Sequence, residues 1–357
     1  MQSRRALLNA AVAALAAVTF IAGCSDDQQS NATAGDEAGR LVINGAGATF
    51  PEPLYQRWID DYQKTAPDVA FRYEGVGSGE GIKRFLAETV DFGASDAAMS
   101  DADLAKVGDR GVVMVPMTAG MVVLAYNLPG IDDLRLPRDV LVDIFGGRIA
   151  YWDDPRIAAA NPRLNLPHRS ITPVVRRDSS GTTFILTNHL SAVDDWWRTE
   201  GPGVGKQIDW PGKAMEVNYN AGVAERVRIA EGAIGYMEYE FADRLGLPIA
   251  ALQNKAGQYV RPSPPAGTEA LASADVIPDD LRVFIPDPPG AGAYPIVRYT
   301  WLLLYQRYPE PAKAAALRDA VDWGLSDAGQ RVAESMRYIP LPEQMKALAM
   351  GKVSSIQ

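Results

Sequence analysis

Three short stretches of the 357-residue chain concentrate hydroxyls, glycines and charge: "GAGATFP" (Gly45 to Pro51), "GVGSGEG" (Gly75 to Gly81) and "RRDSSGTT" (Arg176 to Thr183). Each follows an apolar, β-branched run and precedes a helical pattern. Each would therefore present unpaired backbone N–H groups at a helix N-terminus, where the helix dipole also favours negative charge. Glycines allow close approach to the backbone, and Thr49, Ser78, Ser180 and Thr182 add neutral hydroxyl donors. Such a set can hold a compact oxyanion without a metal. Simple capping would account for one such turn; three of them together with an arginine point to an anion cradle.

Other chemistries fit the same residues poorly. "GVGSGEGIK" places Lys83 wrongly for a P-loop, and neither glycine cluster completes G-x-G-x-x-G. "DSSGT" is not a G-x-S-x-G elbow, and the only histidines, His168 and His189, lie in unrelated contexts, so a serine triad has little support. One cysteine and two dispersed histidines make a poor transition-metal site, and no cofactor is implied. A formal net charge of −9 argues against a nucleic-acid partner. An anion site must then be local.

The elements that would carry these turns alternate along the chain. "RLVING" precedes "PEPLYQRWIDDYQKT", "VAFRYEGVG" precedes "GIKRFLAETV", and "ITPVVRRD" precedes "GTTFILTNHLSAV", which predicts an α/β architecture. With 47% hydrophobic residues, this length suits two lobes. Leu54, Trp58, Ile59 and Tyr62 recur at helical spacing and read as core. "VVMVPMTAGMVVLAYN" reads as one or two strands. "VRYTWLLLYQ" is too short to span a bilayer and reads as a buried strand. "RPSPPAGTE" and "IPDPPGAGAYP" read as surface loops.

The N-terminus differs from the rest. Arg4 and Arg5 precede the apolar run "ALLNAAVAALAAVTFIAG", which ends at the only cysteine, Cys24. Ile21, Ala22 and Gly23 before it resemble a bacterial lipobox. That resemblance implies a signal peptide over residues 1–23, lipidation of Cys24, and export to the periplasm or cell surface on a membrane anchor. "SDDQQSNATAGDEAGR" suits a flexible tether over residues 24–40. Cleavage would remove two positive charges and no acid, taking the net charge to −11.

"GAGATFPEPLYQRW", "GVGSGEGIKRF", "TVDFGASDAAMS", "GGRIAYWDDPRI", "RRDSSGTTF", "GAIGYMEY" and "YIPLP" together resemble the substrate-binding protein of the bacterial high-affinity phosphate ABC transporter. The resemblance implies a two-lobed periplasmic-binding-protein fold of type II-like form. Each lobe would be a mostly parallel sheet flanked by helices, with the ligand in the interlobe cleft. Residues 41–117 and 247–357 would form lobe I and residues 118–246 lobe II, with crossings near "MTAGM" and "LGLPIA". It further implies a non-enzymatic receptor that delivers inorganic phosphate to a permease and its ATPase.

Carried over by motif, Thr49, Phe50, Ser78 and Asp96 from one lobe, and Arg176, Ser180, Gly181 and Thr182 from the other, would bind phosphate. Asp178 would orient Arg176. Strand alternation agrees, since residues 176 and 178 of an extended "VVRRD" share a face that Arg177 does not. An ionised Asp96 only accepts hydrogen bonds, so it suits an anion that keeps a proton, as phosphate does and sulfate does not. Glu80 departs from the family's small residue and is expected to face solvent beside Lys83 and Arg84. The competing functions are a receptor of the same fold for sulfate or another oxyanion, and a phosphomonoester hydrolase.

Overall fold

The computed structural model describes residues 39–274 and 276–357. Among them the strands are β1 (Leu41–Gly47), β2 (Val69–Gly75), β3 (Phe92–Ser95), β4 (Val112–Tyr126), β5 (Arg135–Leu136), β6 (Thr172–Arg176), β7 (Met215–Val217), β8 (Ala233–Glu238), β9 (Ala251–Gln253), β10 (Tyr259–Val260) and β11 (Val297–Tyr305). Eight of these form one sheet in the order β2-β1-β3-β11-β4-β8-β6-β7, and β10-β9-β5 form a second. The predicted alternation holds: the helices Glu52–Gln63, Ser78–Leu86 and Gly181–Val193 directly follow β1, β2 and β6.

The large sheet has two parallel wings. β1 runs parallel to β2 and β3, and β6 runs parallel to β7 and β8. Antiparallel β11 and β4 lie between them. The "one or two strands" of the sequence are one, and β4 joins both wings: Val112 to Met121 pair with β11, and Val122–Tyr126 pair with β8. Pro116 has no N–H for the ladder, and the register slips between Thr300 and Trp301, leaving Met117 as an extra residue. This bulge falls at the start of "MTAGM". β11 is buried throughout, and so is β4 beyond Val112. Such continuous apolar runs, rather than alternating ones, mark a sheet covered on both faces.

Helix Glu52–Gln63 buries Leu54, Tyr55, Trp58 and Tyr62 at helical spacing, with Ile59 half-buried beside them. The Trp58 indole N–H donates to the Gly329 carbonyl at 2.9 Å, fixing the helix against the C-terminal region.

"RPSPPAGTE", predicted as a loop, is instead largely the helix Pro264–Leu271. Ser263 caps it by accepting from the Ala266 N–H at 3.3 Å, and Pro264 occupies the first turn, where its missing N–H costs nothing. "IPDPPGAGAYP" has no regular structure, yet it buries Ala293 and Tyr294 and is not wholly a surface loop. β9, from the 247–357 segment, pairs with β5 of the 118–246 segment, and β10 pairs with β9.

Candidate anion-binding site

The three turns meet. β1 extends through Gly47, so the first turn is shorter than the sequence suggests and comprises Ala48 to Pro51. The N–H groups of Val76 and Gly77 donate to the Gly47 carbonyl at 2.9 and 2.8 Å, and the Gly79 N–H donates to the Ser179 carbonyl at 2.9 Å. Backbone hydrogen bonds thus join the second turn to the end of β1, where the first turn begins, and to the third turn. Neither Pro51 nor Gly77 caps its helix through a side chain. Ser180 does cap, accepting from the Thr183 N–H at 3.1 Å.

Glycine is required at two of these positions. Gly77 has φ 91°, and a Cβ there would lie 2.6 Å from Asp178 Oδ2. A Cβ on Gly181 would lie 2.5 Å from Asp96 Oδ2 and press on Ser78 Oγ. The start of helix Gly181–Val193 therefore touches the two residues contributed by the opposite wing.

Arg176 ends β6 with its side chain 1% exposed. Its Nε donates to Asp178 Oδ1 at 2.7 Å and its Nη2 to Oδ2, a fork that fixes the guanidinium plane. Nη1 reaches Thr182 Oγ1 at 3.5 Å. Arg177 turns outward to Asn218 Oδ1 at 3.3 Å, as strand alternation predicts. Asp96 follows β3. Its Oδ1 accepts from Thr300 at 2.8 Å, its Oδ2 accepts from Ser78 at 3.3 Å, and its own N–H donates to Ser78 Oγ at 3.1 Å. Burial pushes its carboxyl up to about 7, opposed by the Thr300 hydrogen bond, the Arg176 charge, the Ser78 hydrogen bond and the Arg298 charge.

Thr49 Oγ1 accepts from Asn220 Nδ2 at 3.0 Å, and the same amide reaches Thr182 Oγ1 at 3.4 Å. The Phe50 carbonyl accepts from the Tyr338 hydroxyl at 2.8 Å, while its ring meets Tyr338 edge-on. Thr49, Phe50, Ser78, Asp96, Arg176, Ser180, Gly181 and Thr182 are all buried. Gly181 adjoins Ser78 and Asp96, and Asn220 links Thr49 to Thr182 and so to Arg176, whereas Phe50 and Ser180 join this set through their chain neighbours Thr49 and Gly181. Glu80 pairs with Lys83 at 3.3 Å and Arg84 at 3.2 Å, away from this cluster. His168 is exposed beside Asp153, and His189 contacts the Pro286 carbonyl at 2.7 Å, so neither faces Ser179 or Ser180.

A family model of the PBP superfamily domain matches residues 27–328. Phosphate-binding protein PstS of Methanocaldococcus jannaschii is 37% identical, aligning 95% of this chain with 92% of its own length. The chain belongs to the PstS family. The Pasteurella multocida protein of the same name is 38% identical over 85% of this chain and 87% of its own. Among solved structures, a high-affinity periplasmic phosphate-binding protein bound with phosphate (PfluDING) superposes with a TM-score of 0.70 at 25% identity, covering 87% of this chain and 93% of that one. The fold is thus that of the periplasmic phosphate-binding proteins.

The sequence does not single out Asn220, Thr300 or Arg298. Asn220 is the second residue of helix Tyr219–Ile229, just past a fourth strand-to-helix turn that follows β7 and whose Asn218 makes no side-chain cap. "VNYNAG" carries that signal in amides rather than in glycine and serine. Asn220 Oδ1 also accepts from the Glu238 N–H at 3.1 Å. Thr300 and Arg298 sit inside the apolar strand β11, where composition gives no hint of what lies opposite. Cys24 and the signal-peptide and tether residues through 38 lie outside the described residues.

Proposed function

We propose that this chain is a non-enzymatic receptor that binds inorganic phosphate between two lobes and hands it to the membrane permease and ATPase of an ABC importer. The observation that carries the reading is the meeting of Gly181 with Ser78 and Asp96, beside an Arg176 held by Asp178. Backbone and hydroxyl donors from both wings, one guanidinium and one buried carboxyl converge there, and the relatives that match the chain along most of its length are named for binding phosphate. Charge-assisted hydrogen bonds in such a dry site contribute roughly 1.5–3 kcal/mol each, enough for tight binding without a metal.

In this reading Thr49, Phe50, Ser78, Asp96, Arg176, Ser180, Gly181 and Thr182 contact the ion, and Asn220 aligns Thr49 with Thr182. Lobe I comprises residues 41–117 and the C-terminal region, and lobe II begins at 118. The pairing of β9 with β5, and of β10 with β9, favours a return to lobe I after Val260 rather than at 247. Cys24 carries a lipid that tethers the exported protein to a membrane, and Cys24→Ser would release it into the soluble fraction.

The test is calorimetry with phosphate and sulfate in parallel at about pH 8, where Asp96 is ionised. Phosphate retains a proton to donate to the carboxylate, whereas sulfate brings a second bare negative charge. The expected result is phosphate binding with sulfate at least about tenfold weaker. Equal affinities would remove the role given to Asp96, and turnover of a phosphomonoester by the pure protein would favour a hydrolase instead.

A further inference from the structure

Arg298 is a buried cation that the anion site does not touch. It lies on β11, 2% exposed, and its Nε and Nη2 have no hydrogen-bond partner among the described residues. Three rings enclose it: its Cζ is 4.1 Å from the Phe284 centroid, 5.0 Å from Phe184 and 5.4 Å from Trp301. Phe184 belongs to helix Gly181–Val193, so the contact crosses from β11 to the helix whose N-terminus forms the third turn. Burying a cation without a paired carboxylate is costly, and a neutral side chain of similar size would avoid that cost. Stacking on rings returns only part of it.

What the charge acts on is given by the strand. Thr300 lies two residues further along β11, hence on the same face as Arg298, and its hydroxyl donates to Asp96 Oδ1 at 2.8 Å. Asp96 is the carboxylate whose charge acts on Arg298, and Arg298 in turn favours the ionised form of Asp96. The other titratable groups whose charge would act on Asp96 are the Arg176 cation, the Glu238 carboxyl and the phenols of Tyr55, Tyr73 and Tyr338. Burial raises the carboxyl and the three phenols, which favours their neutral forms. Arg176 is matched by Asp178. Among the described residues, the positive charge acting on Asp96 that has no carboxylate of its own is therefore Arg298.

We infer that Arg298 is a specificity-determining residue of this site, acting at a distance through Asp96: its charge, with the Thr300 hydroxyl, keeps Asp96 a hydrogen-bond acceptor in the dry cleft, and so keeps unprotonated oxyanions out. The inference rests on the phosphate reading. It makes Arg298 a positioning residue for charge rather than a contact to the ion. Thr300 fixes Oδ1 and leaves Oδ2 toward Ser78 and Gly181.

The test compares wild type, Arg298→Met and Arg298→Lys by calorimetry with phosphate and sulfate across neutral pH, with thermal melts to confirm folding. In the wild type, preference for phosphate should rise as pH passes through the titration of Asp96. In Arg298→Met that midpoint should move up by about one pH unit, with the phosphate-to-sulfate ratio at neutral pH falling about tenfold. Arg298→Lys should restore the midpoint. Arg298→Gln, equally uncharged but polar, replaces the methionine variant if that one fails to fold. A midpoint unmoved in the neutral variants, or both ions weakened equally, overturns the inference while leaving the phosphate reading intact. Failure of the wild type to bind phosphate overturns that reading itself.

Discussion

Replacing Asp96 by asparagine should make the ligand-free protein more stable while removing its selectivity. In the folded chain the Asp96 carboxyl is pushed from 3.8 up to about 7, chiefly by burial. The folded state therefore holds a proton that the unfolded chain releases, and stability falls as pH rises from about 4 through about 7. Above that range the full cost is present: about three pKa units at ~1.36 kcal/mol each, or about 4 kcal/mol. Asparagine keeps an oxygen to accept from Thr300 and adds no charge, so Asp96→Asn should recover much of this, about 2–4 kcal/mol at pH 8. The gain should shrink as pH falls below about 7 and vanish near 4. Urea unfolding of phosphate-free protein at several pH values measures it directly. A variant no more stable than wild type at pH 8, or a gain independent of pH, would refute the claim that a desolvated charge is stored at this site.

Gly181→Ala should fold but lose phosphate affinity at least about a hundredfold, because its Cβ would crowd Asp96 Oδ2 at 2.5 Å and push the carboxyl out of place; calorimetry beside a thermal melt separates binding from folding. Asn220→Ala should weaken binding and cost about 1–3 kcal/mol in stability, since it frees Thr49 and Thr182 and strips the buried Glu238 N–H of its acceptor. An unchanged unfolding midpoint would contradict that network.

The cradle was legible because its chemistry is local. A strand, a glycine- or serine-rich turn and a helix start within about ten residues are a periodicity change that sequence displays, and the shared face of Arg176 and Asp178 follows from alternation along "VVRRD", which runs from the end of β6 into the turn. What sequence could not display is pairing over distance. Thr300 reaches Asp96 only because β11 runs antiparallel between β3 and β4, and nothing in "VRYTWLLLY" says which of its residues lies across from the site. Asn220 was hidden for a different reason: its turn uses amides, which read as ordinary loop residues. The helix Pro264–Leu271 was readable, since a serine followed by proline is a helix-start signal, but three prolines close together weighed toward a loop.

The central claim is that Arg176, not its neighbour, faces the anion. Phosphate titration of wild type, Arg176→Ala and Arg177→Ala under one set of conditions tests it most directly. The buried, Asp178-held Arg176 and the outward Arg177 predict that Arg176→Ala loses at least about a hundredfold in affinity, equivalent to about 2.7 kcal/mol, while Arg177→Ala stays within about threefold of wild type. Loss of binding in Arg177→Ala with Arg176→Ala unaffected would contradict the account.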